Sequence, residues 1–188
     1  MNALQKLWAY LKKDTIGSWI LSLVLLFILI KFIVFPLLSL ATGSSLPLVV
    51  VESCSMYHST GNFDDWWYQN GAWYEQNNIT KEQFKSFSLS PGLNKGDIVL
   101  VTGDTQPKQG DIIIFTAGTQ YPIIHRIMST NPVSTKGDNN LEQLTGIEQN
   151  ISKSVILGKA TAKIPFIGWI KLIFFEPFKP ANQRGLCN

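Results

Sequence analysis

Residues 16–40 read IGSWILSLVLLFILIKFIVFPLLSL, and Lys31 is the only charged residue among them. A helix needs about 20 consecutive apolar residues to cross a bilayer, so this stretch is long enough to span one. A cleavable signal peptide is the alternative, because the small residues Ser39, Ala41 and Gly43 follow, but the apolar part of such peptides runs only to about 15 residues. The sequence therefore predicts an uncleaved transmembrane anchor over residues 16–40, with Lys31 near its outer end and its ammonium reaching the membrane interface.

A short basic segment, residues 1–15, precedes this anchor. Its apolar residues recur at helical spacing: Leu4, Leu7, Trp8 and Leu11. This pattern predicts an amphipathic helix on the membrane surface. The cations Lys6, Lys12 and Lys13 lie just before the span and predict a cytoplasmic N-terminus. Everything beyond about residue 42 is then expected on the outer side of the membrane.

Short β-type runs follow the anchor. They cover residues 48–52, 97–102, 111–116, 123–128 and 155–163. The turn-forming pairs Gly96-Asp97 and Gly110-Asp111 open two of them. Their spacing, without helical periodicity, predicts a mainly β fold, with a mostly antiparallel extracytoplasmic domain over residues 43–163.

Two other segments have a different character. Residues 61–91 are rich in aromatic and amide side chains, and they form either a set of rings at the membrane interface or a hydrophobic cluster that covers the β domain. Residues 164–188 open with IPFIGWIKLIFFEPF, which is too short to span a bilayer. This C-terminal part is expected to be an apolar interfacial or core-covering segment.

Composition excludes several classes of function. The net charge is only +3, and no basic cluster or glycine-rich phosphate loop is present, so nucleic acid is not an expected partner. The two histidines and two cysteines have no metal-site spacing, so neither a metal nor another cofactor is expected. Cys54 and Cys187 lie far apart in sequence, and two free thiols are favoured over a disulfide.

Three polar residues could supply hydrolytic chemistry. Ser55 directly follows a strand, His125 lies within an apolar strand, and Asp138 lies in a turn-forming cluster. A serine needs a base to take its proton, and a neutral imidazole can do so when a carboxylate holds its tautomer. Each residue also has an ordinary structural explanation, because buried polar groups are usually paired and Asp is common in turns.

Local sequence around these residues resembles signal peptidase I. The run VVESCSM at 50–56 resembles the catalytic serine box, and IHRI at 124–127 resembles the general-base box of the archaeal and endoplasmic-reticulum branch, which uses histidine. The other similar segments, in family order, are KGDIV at 95–99, GDIIIF at 110–115, TKGDNN at 135–140, GK at 158–159 and IPFIG at 164–168. The similarity covers about residues 16–172, most of the chain.

The resemblance implies a membrane-bound serine endopeptidase that removes N-terminal signal peptides from preproteins after small residues. Ser55 would be the nucleophile, His125 the general base, and Asp138 would orient His125 or otherwise support the site. Ser53 and the backbone N–H of Ser55 would form the oxyanion hole. The expected substrate-binding residues are Val49, Val50, Val51 and Met56. Expected partners are preprotein signal peptides and the lipid bilayer, in a cell membrane or in an endoplasmic reticulum membrane with a lumenal catalytic domain. Whether the protein works within a membrane complex stays open.

The sequence departs from the family pattern at several positions. Cys54 stands where the family usually has glycine. The family also has a second acidic residue five or six positions after the first, where this chain has Gln143 and Leu144. Glu142 and Glu148 lie nearby, so the second acid is missing or displaced. His58 is a competing base, less favoured because it is close to Ser55 in sequence.

Two other functions are compatible with parts of the sequence. A self-cleaving repressor domain is disfavoured by the apolar span. A catalytically inactive, membrane-tethered β binding module is the alternative, because fold resemblance alone does not establish activity.

Overall fold

An apolar N-terminal helix and an antiparallel sheet are the largest elements of the computed structural model, which describes residues 2–59, 62–104, 106–119 and 121–187. Met1, Gly61 and Asn188, which bound predicted segments, lie outside the described residues. The chain divides into two units, residues 1–41 and 42–188. The expected combination of an apolar helix and an antiparallel β domain is confirmed.

The first unit contains helices α1 (Ala3–Leu11), α2 (Ile16–Leu29) and α3 (Phe35–Thr42). A π-helical turn, Ile30–Val34, joins α2 to α3, so Ile16–Thr42 is one continuous helix of 27 residues. This helix is long and apolar enough to cross a membrane. Lys31 lies in the π-helical turn, nearer the middle of the helix than the outer end where the sequence suggested it.

Six strands form one sheet in the second unit. They are β1 (Leu48–Val50), β2 (Ile98–Thr102), β3 (Ile112–Phe115), β4 (Ile123–Thr130), β5 (Val133–Lys136) and β6 (Ile156–Ile164). Their order is β1-β2-β6-β3-β4-β5, and every neighbouring pair is antiparallel. The strand β1 therefore lies at one edge of the sheet, and it leads directly into the segment that contains Ser55.

The central strand β3 explains why its sequence is a continuous apolar run. Ile112 and Ile114 pack into one cluster, while Ile113 and Phe115 pack into another. Successive residues of a strand point to opposite faces, so both faces of β3 are covered and all four side chains are buried. A second strand with burial on both faces is β4, which carries His125.

The aromatic insertion, which is the described part of the aromatic-rich stretch (residues 62–91), contains helices α4 (Phe63–Gln76) and α5 (Lys81–Lys85), capped by Asn62 and Thr80. Its large rings are buried together with Met128 of the sheet: Trp66, Trp67, Tyr74 and Phe84. Burial of these rings favours the cluster that covers the β domain over a set of rings at the membrane interface.

The C-terminal part forms helix α6 (Trp169–Phe175), which buries Leu172 and leaves Phe174 exposed. The chain then returns to the segment after β1, where Cys187 forms a disulfide with Cys54. The expectation of two free thiols is therefore wrong. Sequence separation was a poor guide, because the path of the tail brings the two Cα atoms within 5.5 Å.

Candidate active site

Two residues from distant parts of the chain are in contact: Ser55, in the segment after β1, and His125 of β4. His125 Nε2 lies 3.0 Å from Ser55 Oγ, within hydrogen-bonding distance. The sheet fixes the backbone of His125, which pairs with Ile113 of the central strand β3. The turn at Ser55 is fixed by a loop instead, because Asn139 N–H donates to Ser55 O at 2.8 Å and the Asn139 side chain donates to Cys54 O at 3.1 Å.

The other nitrogen of His125 faces a buried glutamate. His125 Nδ1 is hydrogen-bonded to Glu148 Oε1. The same carboxylate accepts from Thr135 Oγ1 at 3.2 Å and from Leu144 N–H at 2.6 Å. Since Thr135 N–H also donates to Glu148 O at 2.9 Å, both the backbone and the side chain of this residue are held in place.

Asp138 lies beside Arg126 rather than beside the Nδ1 atom of His125. Arg126 Nη2 is 2.7 Å from Asp138 Oδ2, and Arg126 Nε is 3.0 Å from Oδ1. His125 and Arg126 are neighbours in β4 and point to opposite faces of the strand, which separates their two carboxylate partners. Among the described residues, Asp138 is thus paired with Arg126 and not with Nδ1 of His125, where the expectation was that Asp138 orients His125 or otherwise supports the site.

The residues around Asp138 keep its carboxyl group ionised. Burial by itself would raise the pKa of Asp138, but the Arg126 charge and the hydrogen bonds from His58 and Arg126 lower this pKa well below its usual value. Asp138 is thus a permanent anion at neutral pH, fully buried and compensated. Its backbone N–H lies 3.4 Å from Met56 Sδ, next to the serine turn.

His58, the competing base, is engaged away from Ser55. Its ring lies flat on Trp66 with ring centroids 3.7 Å apart, and Nε2 is 2.9 Å from Asp138 Oδ2. Burial lowers the pKa of His58 and outweighs the opposing effect of Asp138, which favours the neutral ring. Among the described residues, the only imidazole hydrogen-bonded to Ser55 Oγ is that of His125.

Gly137 leaves room for the imidazole. A Cβ atom at this position would lie 2.8 Å from His125 Nε2 and 2.6 Å from Asn140 Nδ2, too close for either. The neighbouring Lys136 is buried and donates to Gly137 O at 3.1 Å, and burial lowers its pKa to about 8. These contacts hold the turn that carries Asp138.

The remaining expected site residues lie in three different settings. Ser53 Oγ lies 3.2 Å from Ser55 Oγ, so the two hydroxyls are within hydrogen-bonding distance. Val49 and Val50 are half-buried in the edge strand. Val51 and Met56 are buried, with 3% and 1% exposure, and belong to the hydrophobic core rather than to a surface that a substrate could contact.

The sequence alone does not single out Glu148, although it is the acid that contacts His125. Its distance from Asp138 is longer than the family spacing, and Glu142 on the same loop was an equal candidate. Burial separates the two glutamates, since Glu148 is fully buried and Glu142 is exposed. A hydroxyl, an imidazole and a carboxylate in hydrogen-bonded series are the groups that nucleophilic catalysis by a serine requires.

Comparison with known proteins identifies relatives with one activity. The signal peptidase complex catalytic subunit SEC11 of Candida albicans is 32% identical over 104 residues, which are 48% of this chain and 63% of that protein. The SEC11 subunit of Colletotrichum graminicola is 29% identical over 116 residues, 54% of this chain and 67% of the relative. SEC11C of Canis lupus familiaris is 27% identical over 112 residues, 51% of this chain and 58% of the relative.

The chain thus spans less than two thirds of the length of the first of these relatives. No family model matches the chain. The curated homologues are signal peptidase catalytic subunits, and this finding confirms the resemblance to signal peptidase I.

Proposed function

We propose that this protein is a membrane-anchored serine endopeptidase that removes signal peptides from preproteins after small residues. The observation that carries the proposal is the hydrogen-bonded series Ser55–His125–Glu148, in which both imidazole nitrogens have the partner that base catalysis needs. Homology to signal peptidase catalytic subunits supports the choice of substrate.

In the proposed mechanism, Ser55 Oγ attacks the carbonyl carbon of the scissile peptide bond while His125 Nε2 takes the hydroxyl proton. Glu148 holds the proton on Nδ1 and stabilises the imidazolium that forms. The imidazolium then protonates the leaving amine. A water molecule, activated by the same imidazole, hydrolyses the acyl-enzyme and frees Ser55.

The negative oxygen of the tetrahedral intermediate needs donors near Ser55. We assign this role to the Ser53 hydroxyl and the Ser55 backbone N–H. The position of Ser53 Oγ, 3.2 Å from the nucleophile, supports the first assignment. Removal of one such donor costs about 3–4 kcal/mol of transition-state stabilisation in other serine proteases.

The edge strand β1 is the proposed place for the substrate backbone. Its only sheet partner among the described strands is β2, so its other edge can pair with an extended peptide. Val49 and Val50 are the half-buried residues of this edge, on opposite faces of the strand, and each would border a different small side chain of the substrate.

Position relative to the bilayer is the remaining part of the proposal. Ser55 lies shortly after the helix Ile16–Thr42, so an anchored enzyme would hold its nucleophile close to the membrane surface. Signal peptides are themselves apolar segments that end near that surface. We therefore place the N-terminus on the cytoplasmic side and the catalytic domain outside or in a lumen, and we expect a membrane complex like that named for the relatives.

The test is cleavage of a radiolabelled preprotein by full-length enzyme in detergent micelles. Ser55→Ala and His125→Gln should abolish cleavage, while His58→Gln, which can still donate to Asp138, should keep at least a third of the wild-type rate. Cleavage after a small residue is expected. If Ser55→Ala still cuts, or the folded wild type is inert, a tethered binding module becomes the better explanation.

A further inference from the structure

The last residues of the described chain return to the nucleophile. We define residues 176–187 as the strap. Cys187, at its end, forms a disulfide with Cys54, which immediately precedes Ser55 in the chain. A covalent bond therefore links the strap to the backbone of the turn that presents the proposed nucleophile.

The strap is attached to the same region by charged contacts. Lys179 Nζ lies 3.2 Å from Glu52 O and 3.6 Å from a Glu52 carboxylate oxygen. Farther along, the buried Lys95 donates to Glu176 Oε2 and to Gln183 O, each at 2.7 Å. The Lys179 contacts attach the strap to Glu52, the Lys95 contacts attach it to residue 95, and the disulfide adds a covalent attachment at Cys54.

The turn itself is held from two sides. On one side, Asn139 donates to Cys54 O at 3.1 Å and to Ser55 O at 2.8 Å. On the other side, the disulfide holds the Cys54 side chain to Cys187. Without the bond, only non-covalent contacts would position residues 52–55: the Asn139 hydrogen bonds, the Tyr57 N–H to Cys54 O bond and the Lys179 contact with Glu52. A displacement of about 1 Å in a catalytic group can cost about 100-fold in rate.

We propose that the Cys54–Cys187 disulfide positions the nucleophile turn, so that the enzyme reaches full activity only after oxidation of these two thiols. This inference rests on the proposed function. It implies that the catalytic domain matures on the side of the membrane where disulfides form, and that a newly made chain in a reducing compartment has low activity.

The redox step is thiol–disulfide exchange. Oxidation transfers two electrons and two protons from the Cys54 and Cys187 thiols to a protein disulfide, which becomes a dithiol. Reduction by dithiothreitol reverses the exchange and leaves cyclic oxidised dithiothreitol. Both cysteines are only half-buried, so a small reductant can reach the bond.

The test measures kcat and KM of the full-length enzyme in detergent micelles, well below its unfolding temperature. Wild type is assayed oxidised, reduced with dithiothreitol and reoxidised, with the state of the bond checked by mass spectrometry. Cys187→Ala and the double variant Cys54→Ala/Cys187→Ala serve as matched controls without the bond. Far-UV and near-UV circular dichroism report whether each form is folded.

Reduction should lower kcat of wild type at least tenfold, change KM less than threefold, and be reversed by reoxidation. Cys187→Ala and the double variant should have the kcat of reduced wild type, and dithiothreitol should not change it. Equal kcat for oxidised and reduced wild type would refute the positioning role and leave the proposed function intact. Loss of the native circular dichroism on reduction would have the same consequence, because the bond would then be needed for folding as a whole. If oxidised wild type cleaves nothing, both proposals fail.

Discussion

Replacement of Glu148 by Gln tests the proposed catalytic series most directly. The Glu148 carboxylate presents acceptors on both oxygens, one to His125 Nδ1 and one to Leu144 N–H. A glutamine presents one acceptor and one donor. Since the Leu144 amide can only donate, the glutamine oxygen remains there and its NH2 group turns toward Nδ1.

This donor forces the imidazole into the wrong tautomer. Nδ1 must then accept a hydrogen bond, so the proton moves to Nε2, 3.0 Å from Ser55 Oγ. A protonated Nε2 cannot take the serine proton. The corresponding Asp→Asn change in a Ser-His-Asp triad costs about 10⁴-fold in kcat. We expect a loss of about 10³–10⁴-fold here, which is about 4–5 kcal/mol of transition-state stabilisation. KM should change less than threefold, because Glu148 is fully buried and has no surface for the substrate.

The assay is preprotein cleavage under saturating and subsaturating substrate, with thermal unfolding as a check that Glu148→Gln is folded. Glu142→Gln is the matched control, because it makes the same chemical change at an exposed position of the same loop. The control should retain the wild-type kcat. A folded Glu148→Gln enzyme with more than a tenth of the wild-type kcat would refute the reasoning. An equal loss of kcat in Glu142→Gln would show that the loss comes from a change in the loop and not from the contact with His125.

Three further predictions concern stability, each measured as unfolding of the full-length protein in detergent. Trp66→Ala should lower the free energy of unfolding by about 3–5 kcal/mol because Trp66 is fully buried, whereas Tyr68→Ala, at a position 91% exposed, should change it by less than about 0.5 kcal/mol. The pKa of Asp138 is lower in the folded than in the unfolded chain, so the ionised carboxylate stabilises the fold. This stabilisation is complete above the ordinary pKa of 3.8 and is lost as the pH falls below that value. Asp138→Asn should therefore be less stable than wild type at pH 7 by about 3–5 kcal/mol, and its stability should depend less on acid pH. The pKa of Lys136 is lowered from 10.5 to about 8, so the unfolded chain holds more protons between these values and stability should rise with pH across that window by up to about 3 kcal/mol; a Lys136→Met variant that showed the same rise would exclude Lys136 as its source.

Much of the fold could be predicted because its signals are local. The apolar run that becomes Ile16–Thr42 has one charge, and the β-type runs at 97–102 and 111–116 become β2 and β3. The aromatic insertion was less predictable. Its helix α4 has polar and aromatic residues without a clean apolar face, and only the contacts with the sheet show which rings are buried.

The site residues that lie in segments with strong local sequence patterns could be predicted. The residues whose position depends on the path of a loop could not. Ser55 and His125 stand in segments with strong local patterns, and the structure brings them into contact. Glu148 follows a turn at Gly146 whose length cannot be read from spacing, so a count of five or six residues from Asp138 ends at Gln143 or Leu144. The Cys54–Cys187 bond likewise depends on where the tail runs, which no local pattern specifies.

The hydrogen-bonding capacity of a carboxylate explains why the buried acids Asp138 and Glu148 have different partners. Asp138 already accepts three hydrogen bonds from Arg126, and His58 occupies a further position on the same carboxylate. A carboxylate has about four lone-pair sites, so Asp138 has no good acceptor position left for a second imidazole. Removal of Asp138 from this group would leave the buried Arg126 without its counter-ion, which is the costly way to break an ion pair. In the proposed mechanism, the acid that orients His125 would therefore be a residue other than Asp138. Glu148 meets this need, because Oε1 faces Nδ1 of His125 and its remaining contacts are with neutral donors.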